Sequence, residues 1–445
     1  MILARASTSF GLYAPLPDNA RRCMSQAVFM STHTIQIDAP DGSRFSAYRA
    51  LPEAGHGPAV IVLQEIFGVN RHIREVCDFY AEEGYVAIAP DLFHQFEPGI
   101  ELGYSPEDFE QAFGYFQNLD IDRTMADIGA TVAAARAMDE VVAEPGRGDV
   151  GVVGFCLGGK LAYLAAAQCD VDCAVGYYGV GIDESLDLAE AIECPMALHF
   201  GGLDKFSPPE TIEKIRSVFA GNPDVQVFVY DNADHAFNRW GNDHYNPGAA
   251  RLAHTRTLAV LRAALGPRYD LAAIADHHFE LEFAARDVDA TMKTMVAEPY
   301  VNHVPTMTGG TGHDYLKRFY KHHFIPKNPA DLQMKPISRT VGVDRMVDEF
   351  ILCFTHDCEM DWLLPGIEPT GRYVEIPFVA IVAFRGDKLY NEHIYWDQAS
   401  LLVQIGKLDP TGLPIAGVET AHKLLDKNQP SNDLMGNWAT SADLD

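Results

Sequence analysis

Between residues 34 and 268, short apolar runs alternate with amphipathic stretches, and this alternation constrains the fold more than any other feature of the chain. Runs at 58–64, 85–89, 149–155, 174–178, 196–200 and 225–230 have the length and β-branched content of buried strands. The stretches at 71–83, 122–139, 157–168, 210–219 and 249–265 have helical periodicity. Strands that alternate with helices build βαβ units and a mainly parallel sheet, so the fold class expected is α/β. Gly266-Pro267 breaks the last helix and sets a boundary. Beyond it, helical character at 271–297 and 313–323 precedes long strand-like runs at 337–354, 373–384 and 388–396, as in an α+β domain with a curved sheet. The expected organisation is an N-terminal extension over residues 1–33, poorly ordered, an α/β domain over 34–268, and an α+β domain with a C-terminal tail over 269–445.

Charge narrows the partners. The chain carries 62 acidic and 34 basic residues, a net charge of −28, and acids are in excess on both sides of the boundary. Without a basic face to meet a phosphate backbone, nucleic acid is not an expected partner. The apolar run around 374–384 is broken by Glu375 and Pro377 and is too short to span a bilayer, so no membrane association is expected. The eight cysteines contain no Cys-x-x-Cys pair, which fits a reduced, cytoplasmic chain. Arg5, Arg21 and Arg22 with few acids give the N-terminus a faint transit-like character; an untidy start, with initiation at Met24 or Met30, accounts for it better.

Chemistry concentrates at Gly154-Phe155-Cys156-Leu157-Gly158, where a strand runs into an Ala- and Leu-rich helix. This is the nucleophile elbow G-x-S-x-G with cysteine in the serine position. A cysteine at a helix N-terminus gains thiolate character from the helix dipole. The overlapping G-x-x-x-x-G-K of a phosphate loop fails at Leu161, where magnesium binding requires Ser or Thr. A cysteine nucleophile needs a base and an acid to orient it. Asp204 and His235 follow two later strands in the chain order of this fold. Asp234, next to His235, competes with Asp204 on sequence alone.

With Gln64–Asn70, Ala89–Phe93, Gly154–Lys160, Gly201–Asp204 and Asp234–Arg239 read together, the segment 34–265 resembles the dienelactone hydrolase family. The resemblance implies an α/β-hydrolase domain, no cofactor, and hydrolysis of a small lactone or ester through an acyl-cysteine, an intermediate of ring degradation being one such substrate. It implies Cys156 as nucleophile, His235 as base, Asp204 as its orienter and Glu65 as a carboxylate that gates the thiol. The backbone N–H groups of Ile66 and Leu157 would form the oxyanion hole. Arg239 matches one of two arginines that hold a substrate carboxylate in the family. Gln95 stands where the second belongs and is, with Arg239, expected to face the substrate carboxylate, although an amide can donate hydrogen bonds but cannot replace a bidentate charge pair.

The segments 303–310, 338–341 and 395–399 are similar to the SnoaL-like branch of the nuclear-transport-factor-2-like superfamily, over about 272–406. This implies an α+β cone around an apolar pocket. His303, Arg339, Glu392 and Asp397 are the pocket candidates, and a hydrogen-bonded framework of His303, Arg339 and Asp397 is the preferred reading over acid–base chemistry. No metal site is expected, because His277-His278 and His322-His323 read as lacking acids at ligand spacing. A small-molecule substrate is the expected partner. A carboxylesterase whose cone serves homodimerisation, a bifunctional hydrolase–isomerase and a small-ligand binding protein stay open as alternatives.

Overall fold

The computed structural model describes residues 33–443, so the expectations for the N-terminal extension fall, but for its last residue, outside the described residues. Contacts divide the chain into two compact units between Arg268 and Tyr269.

The first unit opens with an antiparallel pair, β1 (His33–Asp38) and β2 (Arg44–Ala50), followed by β3 (Ala59–Leu63). Helix α1 (Arg71–Glu82), β4 (Val86–Pro90), α2 (Pro106–Gln117) and α3 (Ile121–Arg136) come next. β5 (Val150–Phe155), α4 (Leu157–Gln168), β6 (Cys173–Tyr177), β7 (Met196–Gly201), α5 (Pro209–Phe219), β8 (Val225–Tyr230) and α6 (Pro247–Ala264) complete it. The eight strands form one sheet in the order β1-β2-β4-β3-β5-β6-β7-β8. Every pairing from β4 to β8 is parallel. Strands β3 to β7 are buried along their whole length, because helices cover both faces of a parallel sheet. That explains why they read as unbroken apolar runs. Each Val, Leu or Ile so buried contributes about 1.5–3 kcal/mol.

Local signals fix the helices. Asn70 caps α1 by accepting from the Ile73 N–H, and Ile73, Val76, Cys77 and Tyr80 fall on the face turned to the sheet. Helix α2 escaped the sequence pattern because it buries only Ala112; what holds its start is a reciprocal capping box between Ser105 and Asp108.

The second unit comprises α7 (Leu271–Phe279), a π-helical turn (Glu280–Ala285), α8 (Val288–Lys293), β9 (Met295–His303), β10 (Thr308–Thr311) and α9 (His313–Phe319), which runs into a second π turn (Tyr320–Phe324). Then come β11 (Gln333–Val341), β12 (Arg345–Thr355), β13 (Tyr373–Arg385), β14 (Lys388–Trp396), α10 (Gln398–Gln404) and α11 (Glu419–Leu425). Its sheet has the order β10-β9-β14-β13-β12-β11, antiparallel except where β14 pairs with β9. β13 alternates buried and half-buried residues over most of its length, with Val374, Ile376, Phe378, Ala380, Val382 and Phe384 inward.

Two sequence expectations are corrected here. The single helix over 271–297 is broken, since Arg286 turns left-handed (φ 53°) and Asp287 caps a new helix by accepting from the Ala290 N–H. The run 337–354 is two strands joined by a turn in which the Gly342 N–H donates to the Arg345 carbonyl at 2.7 Å. Among the described residues no helix is long and apolar enough to cross a membrane, and none of the seven described cysteines is in a disulfide.

Candidate active site

Residue 156 lies between β5 and α4 with φ 55° and ψ −112°, a conformation that side chains rarely adopt. The turn closes because its flanks are glycine. A Cβ on Gly154 would lie 1.8 Å from the Gly158 carbonyl oxygen, and one on Gly158 would lie 2.2 Å from that of Leu63. Helix α4 therefore crosses the sheet at backbone distance, which sets the Cys156 side chain at the C-terminal edge of the parallel strands. There the first turn of the helix offers N–H groups without intrahelical acceptors. Leu157 is the first of them.

The loops after β7 and β8 bring the partners. His235 Nδ1 lies 2.7 Å from Asp204 Oδ2, and Asp204 is fully buried. Asp234 is engaged elsewhere: it accepts from the His235 backbone N–H at 2.7 Å and meets His244 Nδ1 at 3.0 Å. Burial works against a charged His235, but the negative charge of Cys156, a hydrogen bond with Asp204 and another with Cys156 outweigh it and raise the imidazole to about 10. Edge contacts from Tyr178 and Phe206, at 5.0 and 4.9 Å between centroids, fix the ring.

Beside this triad lies a buried ion pair. Glu65, two residues past the C-terminal end of the central strand β3, is 2% exposed, and Arg239 Nη1 reaches its oxygens at 3.1 and 3.4 Å. The guanidinium lies 4.0 Å from the Tyr104 ring centroid, and the Tyr104 hydroxyl lies 3.5 Å from Glu65. Burial raises the Tyr104 phenol well above its usual range, and the charge of Glu65 adds to this. The Tyr178 hydroxyl and Arg239 Nε are buried without a hydrogen-bond partner. Neither tyrosine was singled out from sequence. Tyr178 follows the end of a buried strand, where open α/β sheets place their sites, and that rule could have found it.

Gln95 is not brought to this cluster. Its amide donates to Thr124 Oγ1 at 3.2 Å, and its carbonyl accepts from the Asp120 N–H at 3.2 Å. It ties the loop after β4 to the start of α3, and the expectation that it faces a substrate carboxylate is corrected.

The second unit encloses a cavity of about 440 Å³, walled mostly by side chains such as Phe279, Phe324, Trp362 and Phe378. His303, Arg339 and Glu392 all line it. His303 packs 4.8 Å from Trp362, and burial brings its imidazole down to about 3. Arg339 holds Asp348 in a bidentate pair at 2.7 and 2.8 Å and reaches Asp276 at 2.8 Å. Asp397 does not enter the cavity lining; it caps α10, accepting from the Ala399 and Ser400 N–H groups and from the Ser400 hydroxyl at 2.6 Å. His303, Arg339 and Asp397 thus form no single framework, because each is committed to different neighbours.

What sequence reading missed here is His278. It is fully buried, with Nε2 at 3.1 Å from Glu282 and 3.3 Å from Glu392. Glu282 stands four residues on, so the statement that this histidine pair lacks suitably spaced acids is wrong. Burial disfavours the His278 charge, but the two carboxylates hold the ring charged up to about 10.

Comparison with known proteins agrees with this division. Residues 45–265 match the dienelactone hydrolase family, and residues 275–392 match a SnoaL-like domain. A carboxymethylenebutenolidase of Pseudomonas sp. (strain P51) is 41% identical over 236 residues, covering 52% of this chain and 96% of that protein. The carboxymethylenebutenolidase of Pseudomonas putida is 38% identical over 235 residues, covering 52% and 97%. A solved dienelactone hydrolase-like promiscuous phosphotriesterase from metagenomic libraries is 23% identical, covers 53% of this chain and 99% of its own, and superposes with a TM-score of 0.45.

Proposed function

The chain belongs to the dienelactone hydrolase family, and from that premise we propose that its first unit opens a small lactone or cleaves a small ester through an acyl-cysteine at Cys156. That the chain is a hydrolase of esters or lactones follows from its relatives; the covalent route is our reading, and the geometry supports it. The observation that carries it is the Cys156–His235–Asp204 arrangement, with the nucleophile on a left-handed turn at a helix N-terminus.

In this reading His235 already carries the thiol proton on Nε2, as an imidazolium paired with Sγ, while Asp204 holds Nδ1. Sγ bonds to the substrate carbonyl carbon, and the N–H groups of Leu157 and Ile66 receive the oxyanion. Collapse breaks the C–O bond, and His235 returns the proton to the departing alkoxide. In a lactone that alkoxide stays tethered to the acyl group. Water, deprotonated by His235, then attacks the thioester, and the thiolate leaves as the hydroxy acid or free acid forms.

Glu65 and Arg239 supply the substrate check. A substrate carboxylate competes with Glu65 for Arg239 and would set the Glu65 carboxylate free beside Cys156. Since Gln95 is spent on Thr124 and Asp120, Arg239 is the cation on which that discrimination rests. The cavity of the second unit has the size of a small-molecule site.

The test uses the full chain against lactones and aryl esters with and without a carboxylate. Cys156→Ala should abolish hydrolysis, and a mechanism-based acylating reagent should label Cys156 alone among the cysteines. An active Ala variant, or equal labelling at Cys194, would overturn the acyl-cysteine route.

A further inference from the structure

We propose that His278, Glu282 and Glu392 form a binding site for a divalent transition-metal ion in the wall of the second unit's cavity. The inference is independent of the hydrolase reading, since none of these residues belongs to the first unit.

The donor set is one imidazole and two carboxylates, all three residues no more than 4% exposed. Metal–nitrogen and metal–oxygen bonds of about 2.0–2.2 Å place donors about 3.0–3.5 Å apart. The two carboxylate oxygens lie 3.1 and 3.3 Å from His278 Nε2, and the three donor atoms all fall within 4.8 Å of one another. The two nitrogen–oxygen separations are thus already at ligand spacing.

The far side of the imidazole is set for the same task. The Thr294 hydroxyl has one proton, and its oxygen lies 2.7 Å from the Thr291 carbonyl, to which that proton is donated. The Thr294 oxygen therefore accepts from His278 Nδ1, 2.5 Å away. With Nδ1 given to Thr294, the coordinating nitrogen is Nε2, the one that faces the carboxylates, and an arriving metal displaces the proton that Nε2 shares with them. A metal-bound histidine is characteristically held in this way, its other N–H given to a protein acceptor that fixes tautomer and ring angle.

One further observation points to an occupant. The turn carrying Glu282 is π-helical, the widened geometry that recurs at functional sites. Glu282 and Glu392 also line the cavity, so the positions that three protein donors leave open face its apolar interior. A mixed imidazole–carboxylate set suits manganese, iron or zinc better than calcium, which takes oxygen ligands only. The open positions suit a small, mainly apolar molecule that presents an oxygen donor.

The full chain, stripped by chelator dialysis, is titrated with Mn2+ in excess Mg2+, because a chain of net charge −28 collects cations loosely. One Mn2+ per chain should survive the Mg2+ competition. His278→Ala and Glu392→Gln should each weaken it by about tenfold or more, and Thr294→Val by about tenfold. His277→Ala, which alters the exposed neighbour, should bind as the parent does. Pulsed EPR of the Mn2+-loaded parent needs no variant and should show coupling to one imidazole nitrogen. No retained ion, undiminished binding in His278→Ala, or a spectrum without that coupling would each overturn the site. If His278→Ala does not fold, the parent spectrum decides.

Discussion

Replacing Cys156 by glycine should stabilise the first unit relative to replacing it by alanine, although both changes abolish hydrolysis. In most of a protein the order is the reverse, because glycine loses more chain entropy on folding, about 0.5–1 kcal/mol against alanine. At Cys156 the backbone is held at φ 55° and ψ −112° by the close approach of Gly154 to Gly158 and of Gly158 to Leu63. Any residue with a Cβ pays steric strain there of about 1–3 kcal/mol. Alanine keeps that strain and glycine removes it, while both remove the thiol. The difference should favour glycine by about 0.5–2 kcal/mol. For a unit of this length that is a rise in Tm of about 1–8 °C. Calorimetry of the two full-length variants, read at the transition of the first unit, checks it. An alanine variant as stable as the glycine one, or more so, would show that the elbow stores no strain.

Arg239→Met should cost about 3–5 kcal/mol in urea unfolding, because it leaves the Glu65 charge buried and unpaired. Adding Glu65→Gln should recover most of that loss; additive losses would refute the coupling. His235 is raised from its ordinary value near 6.5 to about 10, so its contribution to stability is fully present below about pH 6.5 and is lost as pH rises through about 10. Asp204→Asn weakens that contribution, and its destabilisation relative to the parent should be largest near pH 6 and shrink toward pH 10, as urea midpoints across that range will show. Asp397→Ala should cost about 0.5–2 kcal/mol through loss of the α10 cap, with unchanged ester hydrolysis, and Asp397→Asn should cost less. A change in reaction product with either variant would contradict the capping role.

The elbow was legible because its constraint is local: two glycines around a cysteine between a strand and a helix can be read from adjacent residues. Asp204 and His235 were legible as the first acid and histidine after successive strands, and the resemblance already preferred Asp204 to Asp234; the structure places Asp204 Oδ2 2.7 Å from His235 Nδ1. Gln95 was misplaced because an alignment of motifs says which position a residue holds but not where its amide finds partners. Asp397 was drawn toward the cavity by its aromatic neighbours, although Asp-x-x-Ser before an apolar run is also the signature of a helix cap. Two of the three residues of the His278 cluster stood in the sequence as an i, i+4 pair. The third, Glu392, comes from a strand far along the chain, set in place by the pairing of β14 with β9 and β13.

The Glu65–Arg239 pair spans 174 residues of chain, and this separation has a consequence for synthesis on the ribosome. At about 5–20 residues per second, the carboxylate leaves roughly 9–35 s before its guanidinium is made. Throughout that interval the nascent sheet holds an acid that it cannot bury without a counter-charge. The edge around β3 must therefore stay hydrated until the loop after β8 emerges. The nucleophile gains its base only in the same final stretch, so a nascent chain stalled before His235 carries the Cys156 thiol without its base.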